Sequence, residues 1–179
     1  MKHKQFATQI DIEFDVVIAS HVIEHLADPI TWLQQIHAVV PNGDLFLAVP
    51  DRRYTFDYLR PDSTVAHLLQ AQHEDLQRPT RWQLLDSLFY HRPLLAEDAW
   101  AGDFAALQES RFTITEALEQ SRKADVEYVD THCHVFSAGS FARLMEDLSE
   151  VSGWSPVEVS DVRQGSNEFY AWLKPLTAR

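Results

Sequence analysis

The sequence has a single cysteine, Cys133, and only five glycines, at positions 43, 102, 139, 153 and 165. One thiol excludes an intramolecular disulfide framework and suits a reducing cytoplasm. No two glycines are close enough to make a G-x-G loop, the device by which backbone approaches a nucleotide closely. Long apolar runs are absent as well. None approaches the roughly 20 residues needed to span a membrane. The N-terminal stretch "MKHKQFATQIDIEFD" has basic residues but no apolar h-region, so it does not read as a secretory signal. Positive charge is also scarce: 15 Lys and Arg stand against 27 Asp and Glu, a formal net charge of −12. That balance argues against non-specific binding to nucleic acid or to an anionic membrane surface. A soluble cytoplasmic protein is expected.

At 179 residues and 45% hydrophobic content, the chain can bury the core of one domain. Phe14–Ala19, "FDVVIA", is a short β-branched run of the kind buried in parallel sheets. Asp28-Pro29 then supplies an N-cap followed by proline at the first helical position. Ile30, Leu33, Ile36, Val39 and Val40 share one helical face, and Pro41-Asn42-Gly43 ends that helix. Asp44–Val49, "DLFLAV", is a second buried strand, so the three elements predict a βαβ unit.

From 63 to 125 the pattern turns helical, in "STVAHLLQAQHEDL", "TRWQLLDSLFYH" and "TITEALEQSRKA", with 92–110 irregular between the last two. This block reads as a helical insertion or lid within a single domain, 1–179. "VEYVDTHCHVF", 126–136, alternates and is expected to be extended in part. Ser140–Glu150 predicts an amphipathic helix with Phe141, Leu144, Met145 and Leu148 inward. Pro156–Val162 and Glu168–Leu173, joined by "RQGSN", predict an antiparallel hairpin.

The run "FDVVIASHVIEHLADPITWLQQIHAVVPNGDLFLAVPD" resembles the central segment of class I S-adenosylmethionine-dependent methyltransferases (type 11/23-like). Their pattern there is a strand "FDxV", a short loop, "EHL-x-DP", a helix, "L-x-PGG" and a strand ending near proline. Asn42-Gly43 stands where Gly-Gly is usual. The resemblance runs from Phe14 to about Leu173 and implies an α/β, partial Rossmann-like methyltransferase fold. That fold would comprise the second half of the sheet, with the antiparallel C-terminal hairpin and a helical insertion. The earlier strands and the glycine-rich cofactor loop of the family are not matched. The chain therefore reads as the second half of such an enzyme, impaired in cofactor binding as it stands. One edge of its sheet would be bare and in need of a cover. A second copy, in a homo-oligomer, the helical insertion or the alternating segment Gln5–Ile12 would serve.

The resemblance implies S-adenosylmethionine as cofactor, with Ala19, Ser20 and His21 near its methionine end. It also implies a small-molecule methyl acceptor met by the loop after the second strand, where Arg52, Arg53 and Tyr54 would bind it. Those three also suit a salt-bridged surface loop. His21 or His134 would serve as general base, since neutral imidazole accepts a proton near pH 7. His132 and His134, at i and i+2, suit a metal or acid–base work, but packing and hydrogen bonding beneath the lid is the simpler reading of the pair.

"HVIEH", His21-x-x-Glu24-His25, admits several readings. The similar ubiquinone-type O-methyltransferases carry E-x-x-E-H here, which implies a divalent metal on His21, Glu24 and His25, zinc or manganese rather than magnesium. The H-x-x-E-H spacing of inverted zinc peptidases needs a helix, which Asp28-Pro29 ends too soon. Structural hydrogen bonding of Glu24 and His25 is the plain alternative. Three functions stay open: a methyltransferase-like protein, a non-catalytic α/β dimerisation or binding module, and a metal-dependent hydrolase built on the histidine clusters.

Overall fold

The structure, a computed structural model, describes residues 6–10 and 12–176. Its centre is a four-stranded sheet in the order β1-β2-β4-β3. β1 (Val16–Ser20) and β2 (Asp44–Pro50) are parallel, with Val17 opposite Leu45 and Ala19 opposite Leu47. β4 (Glu168–Pro175) runs antiparallel to both β2 and β3 (Trp154–Val159). This is the α/β arrangement expected, with the βαβ unit and the antiparallel hairpin in their predicted places.

The βαβ unit forms for local reasons. Asp28 caps α1 (Pro29–Val39) by accepting from the Thr31 N–H at 3.0 Å, and Pro29 opens the helix where no N–H is needed. Ile30, Leu33, Ile36 and Val39 face the sheet and are buried. Gly43 allows the close turn into β2. A Cβ there would lie 2.1 Å from the Asp15 carbonyl oxygen, which accepts the Asp44 N–H at 2.9 Å.

One sheet face carries the core. Leu45, Leu47 and Val49 of β2 and Phe169, Ala171 and Leu173 of β4 are buried under α1 and α6 (Ala138–Asp147). Phe141, Leu144, Met145 and Leu148 point inward as the periodicity predicts. Trp154 is fully buried, and its indole N–H donates to the Leu33 carbonyl at 2.9 Å. A short helix, α7 (Ser149–Ser152), leads into β3. The opposite sheet face has no such cover among the described residues. Ile18 is 76% exposed, and Phe46, stacked on Trp172, is 38% exposed.

The helical block holds α2 (Val65–His73), α3 (Arg81–Tyr90), α4 (Ala96–Ala101) and α5 (Ile114–Ser121). α4 falls in the stretch expected to be irregular. Thr64, Thr80 and Thr113 start three of these helices with reciprocal capping boxes. Two polar anchors hold the block down: Arg60 to Asp86 of α3 at 2.9 Å, and the Trp100 indole N–H to the Ser166 carbonyl at 2.8 Å.

Three further expectations change. β1 is not the buried strand that "FDVVIA" predicts: Val16 and Ile18 are exposed, because no described element covers their side of the sheet. The stretch 126–136 joins no strand ladder among the described residues and makes one isolated bridge, between Phe136 and Asp51 just past β2. Its groups go instead to the loop after β1. The alternating segment 5–12 does not pair as a strand. Phe6–Gln9 is a 3-10 turn near α1, with Ala7 and Ile10 against the core, while residues 5 and 11 lie outside the described residues. No helix among the described residues is long and apolar enough to cross a membrane.

Candidate functional site

The site lies at the carboxyl ends of β1 and β2, where open α/β sheets hold their ligands. His21 ends β1 in a left-handed conformation, φ +52°, unusual for a side chain with a Cβ. Its N–H still donates to the Ala48 carbonyl of β2 at 3.0 Å. That turn throws its ring sideways, and Nε2 meets Glu168 Oε2 of β4 at 2.6 Å. The Tyr170 hydroxyl donates to the other Glu168 oxygen at 2.6 Å. Tyr170, Glu168 and His21 thus make a chain along the rim.

The loop from 21 to 28 is tied to the downstream segment through its backbone. The Glu24 carbonyl accepts from the Cys133 N–H at 2.7 Å and from the His134 N–H at 3.1 Å. The Cys133 thiol adds a contact to the His25 carbonyl at 3.4 Å. Burial pushes the thiol up to about 12, so it is an inert packing group.

Glu24 is 1% exposed, and neither carboxylate oxygen accepts a hydrogen bond among the described residues. Desolvation pushes its pKa up, against the pull of its own backbone N–H, which lies near the carboxylate without the geometry of a hydrogen bond, and of His132, His25 and His21. A ligand atom from each of Glu24, His25 and His132 lies within 4.8 Å of the other two. His25 Nε2 stands 3.8 Å from Glu24 Oε1, while its Nδ1 bonds Asp130 at 3.0 Å. The His132 Nδ1 bonds Asp57 at 2.5 Å. Asp57 is buried and also takes Arg60 Nη1 at 2.9 Å, and that guanidinium donates to the His132 carbonyl at 3.0 Å. Burial works against the Asp57 charge, but His132 and Arg60 hold its carboxyl below the ordinary range.

A cavity of about 250 Å³ opens beside this cluster, lined by His21, His25, Trp32, Arg78 and Tyr128 among others. His21 and His25 therefore share one cavity. His134 does not belong to it and lines a separate one of about 440 Å³ with Arg60 and Ser63. His134 is 2% exposed, with Nδ1 against the Ser63 hydroxyl and Nε2 on the Ala27 carbonyl. Burial pushes its pKa down to about 4, so the ring is neutral.

The other expected residues fall as follows. Ala19 is half-buried and Ser20 exposed, next to His21 at the end of β1. Arg53 forks onto Asp51, Nε at 2.9 Å and Nη2 at 2.8 Å, and Asp51 in turn accepts the Ala138 N–H at the start of α6. Arg52 donates to the Tyr58 carbonyl at 2.8 Å and faces Asp62. Tyr54 stacks on Trp100, 4.4 Å between centroids. These three side chains hold the loop after β2 together. Glu168 stands in the sequence only as the first residue of a predicted strand, and Arg60 and Asp130 carry no signal there. Only contacts across the fold reveal their place.

A family model described as a methyltransferase domain matches residues 1–148. No curated protein matches the chain. Among solved structures, one from Rhodobacter sphaeroides, named for the Zn-dependent alcohol dehydrogenases, aligns at 12% identity and a TM-score of 0.45. The alignment covers 92% of this chain and 60% of that one, so this chain spans well under two thirds of its length. At that score the likeness carries no argument.

Proposed function

The chain belongs to the methyltransferase-domain family, and from that premise we propose that its site serves methyl transfer from S-adenosylmethionine to a nucleophile on a small molecule. The family match over residues 1–148 carries this reading. The geometry supports it with a cavity at the carboxyl end of β1, lined by His21 and His25, whose ring nitrogens can hold and accept protons. Ala19, Ser20 and His21 approach the methionine end of the cofactor. The acceptor occupies the cavity beside His21 and His25. His21 takes the acceptor proton, with Glu168 orienting its ring and stabilising the imidazolium that forms. Bound there, the cofactor would supply a sulfonium methyl group for transfer to the acceptor lone pair and would depart as the neutral thioether. Most of the rate gain comes from holding the two reactants in line. Arg52, Arg53 and Tyr54 act on the acceptor indirectly, by fixing the loop after β2.

The five glycines include no G-x-G pair, so in this reading the chain makes no glycine-loop approach to the cofactor ribose and binds S-adenosylmethionine weakly. Titration calorimetry with S-adenosylmethionine and its demethylated product tests this. Weak binding, lost further in His21→Ala, is expected. Submicromolar binding would overturn the account of the ribose contacts. No binding at millimolar cofactor would favour a non-catalytic module.

One observation favours that second reading. Ile18, Phe46 and Trp172 form an apolar row across β1, β2 and β4 on the open sheet face. Such a row suits association with a second copy of the chain.

A further inference from the structure

Glu24 presents a problem that the methyltransferase reading leaves unsolved. A carboxylate 1% exposed, with no hydrogen-bond donor among the described residues on either oxygen, is costly to keep. Buried carboxylates in folded proteins are paired, hydrogen-bonded or bound to a metal. Around this one the fold gathers two imidazoles, and each of them is held by a carboxylate on its far nitrogen: His25 by Asp130 at 3.0 Å, His132 by Asp57 at 2.5 Å. With Nδ1 so committed, Nε2 is the nitrogen left on each ring to face the cluster. A carboxylate bonded to the outer nitrogen of a histidine fixes the ring, selects the tautomer and raises the basicity of the inner nitrogen. Metal sites use this arrangement.

We propose that Glu24, His25 and His132 form a binding site for one transition-metal dication of the zinc class, with Asp130 and Asp57 as the supporting shell. The spacing fits. Ligands about 2.0–2.1 Å from a tetrahedral ion lie about 3.3 Å from one another. Here Glu24 Oε1 and His25 Nε2 are 3.8 Å apart, and all three ligand atoms lie within 4.8 Å. Closing the site brings ligand atoms now up to 4.8 Å apart together by at most about 1.5 Å, within reach of side-chain rotation. Two imidazoles and one carboxylate favour zinc, cobalt or manganese over magnesium and calcium, which prefer oxygen. His21, which sequence proximity groups with Glu24 and His25, is not in the set. Its Nε2 is taken by Glu168, and its Nδ1 stands 3.7 Å from Glu24. His132 takes that place from 108 residues downstream of Glu24, brought in by the two N–H groups of Cys133 and His134 on the Glu24 carbonyl.

Three protein ligands leave a fourth position open. His25 is the ligand that lines the 250 Å³ cavity. The site does not depend on methyl transfer, and its test is kept apart from activity. The chelator-treated full chain is titrated with zinc chloride and, separately, with cobalt chloride. One equivalent of Zn²⁺ is expected, together with the intense visible absorption of four-coordinate Co²⁺. Glu24→Gln is the informative variant. Without metal it is expected to melt higher than the native chain, because it removes a buried carboxylate that has no hydrogen-bond donor, and to lose the rise in melting temperature that zinc gives. His132→Gln loses the cobalt spectrum. Asp57→Asn weakens zinc binding by about 10-fold to 100-fold. Failure to bind Zn²⁺ stoichiometrically, preference for Mg²⁺, or a Glu24→Gln protein that binds zinc as the native chain does would each overturn the proposal.

Discussion

Asp57 and His132 meet at 2.5 Å although 75 positions separate them in the chain. Their pairing joins the loop after β2 to the segment before α6. Arg60, only 2% exposed, closes the cluster by bonding Asp57, the His132 carbonyl and Asp86 of α3. One buried carboxylate therefore holds together the sheet's ligand edge and the helical block. Asp57→Ala leaves the buried Arg60 with only the half-exposed Asp86 as counter-charge. The expected loss is about 3–5 kcal/mol of unfolding free energy, the usual cost of breaking a buried pair from one side. Urea denaturation at neutral pH measures it. A loss below about 1 kcal/mol, the value of a surface pair, would show that Asp57 does not carry this load.

Gly43→Ala tests the turn that starts β2. The added methyl would fall on the Asp15 carbonyl and within 2.5 Å of Val40 Cγ1, so the strand start must move. Backbone cannot yield as a flexible side chain does. A destabilisation of about 2 kcal/mol or more is expected, read by thermal or chemical melting. A neutral result would mean that the Asp15–Asp44 contact is looser than it stands here.

The βαβ unit was legible because its signals are local. Asp28-Pro29 marks a helix start, the apolar residues of α1 repeat every three or four positions, and Gly43 follows the stop. The hairpin was legible for the same reason, through alternation on both sides of "RQGSN". The site was only half legible. Glu24 and His25 stand out in the sequence, but nothing in the spacing links them to His132, which arrives through backbone bonds to the Glu24 carbonyl. His21 looks like their natural companion, yet its left-handed φ sends its ring to Glu168. His132 and His134 look alike as a pair, but one faces Asp57 and the other is sealed between Ser63 and Ala27. Periodicity reports which face a residue shares with its neighbours, not which distant segment packs against that face.

The rim chain predicts a pH dependence. The Tyr170 hydroxyl, and then His21, hold the Glu168 carboxyl below its ordinary value of 4.5. A lowered carboxylate contributes stability that is present above pH 4.5 and lost as the pH falls through the lowered value. Tyr170 is exposed and Glu168 only half-buried, so the effect is small and weakens with salt. Tyr170→Phe removes the larger cause. The Glu168 carboxyl carbon, followed by NMR, is expected to titrate at a higher pH in that variant than in the native chain. Coincident titration curves would sink the hydrogen-bonded chain from Tyr170 to His21.

The open sheet face gives the last prediction. β1 is an edge strand whose outer side has no partner among the described residues, and Ile18 there is 76% exposed. Ile18 pairs across to Phe46, and Phe46 to Trp172, so the apolar row runs over three strands. Edges and faces of this kind associate unless charged or covered. The native chain is therefore expected to sediment as a dimer at micromolar concentration. Ile18→Glu places a charge in the row at a position that packs against little, so its fold is expected to survive with an unchanged far-ultraviolet circular dichroism spectrum. The variant should then sediment as a monomer. A native chain that is already monomeric, or an Ile18→Glu protein that remains dimeric, would show that this face is not the contact between copies.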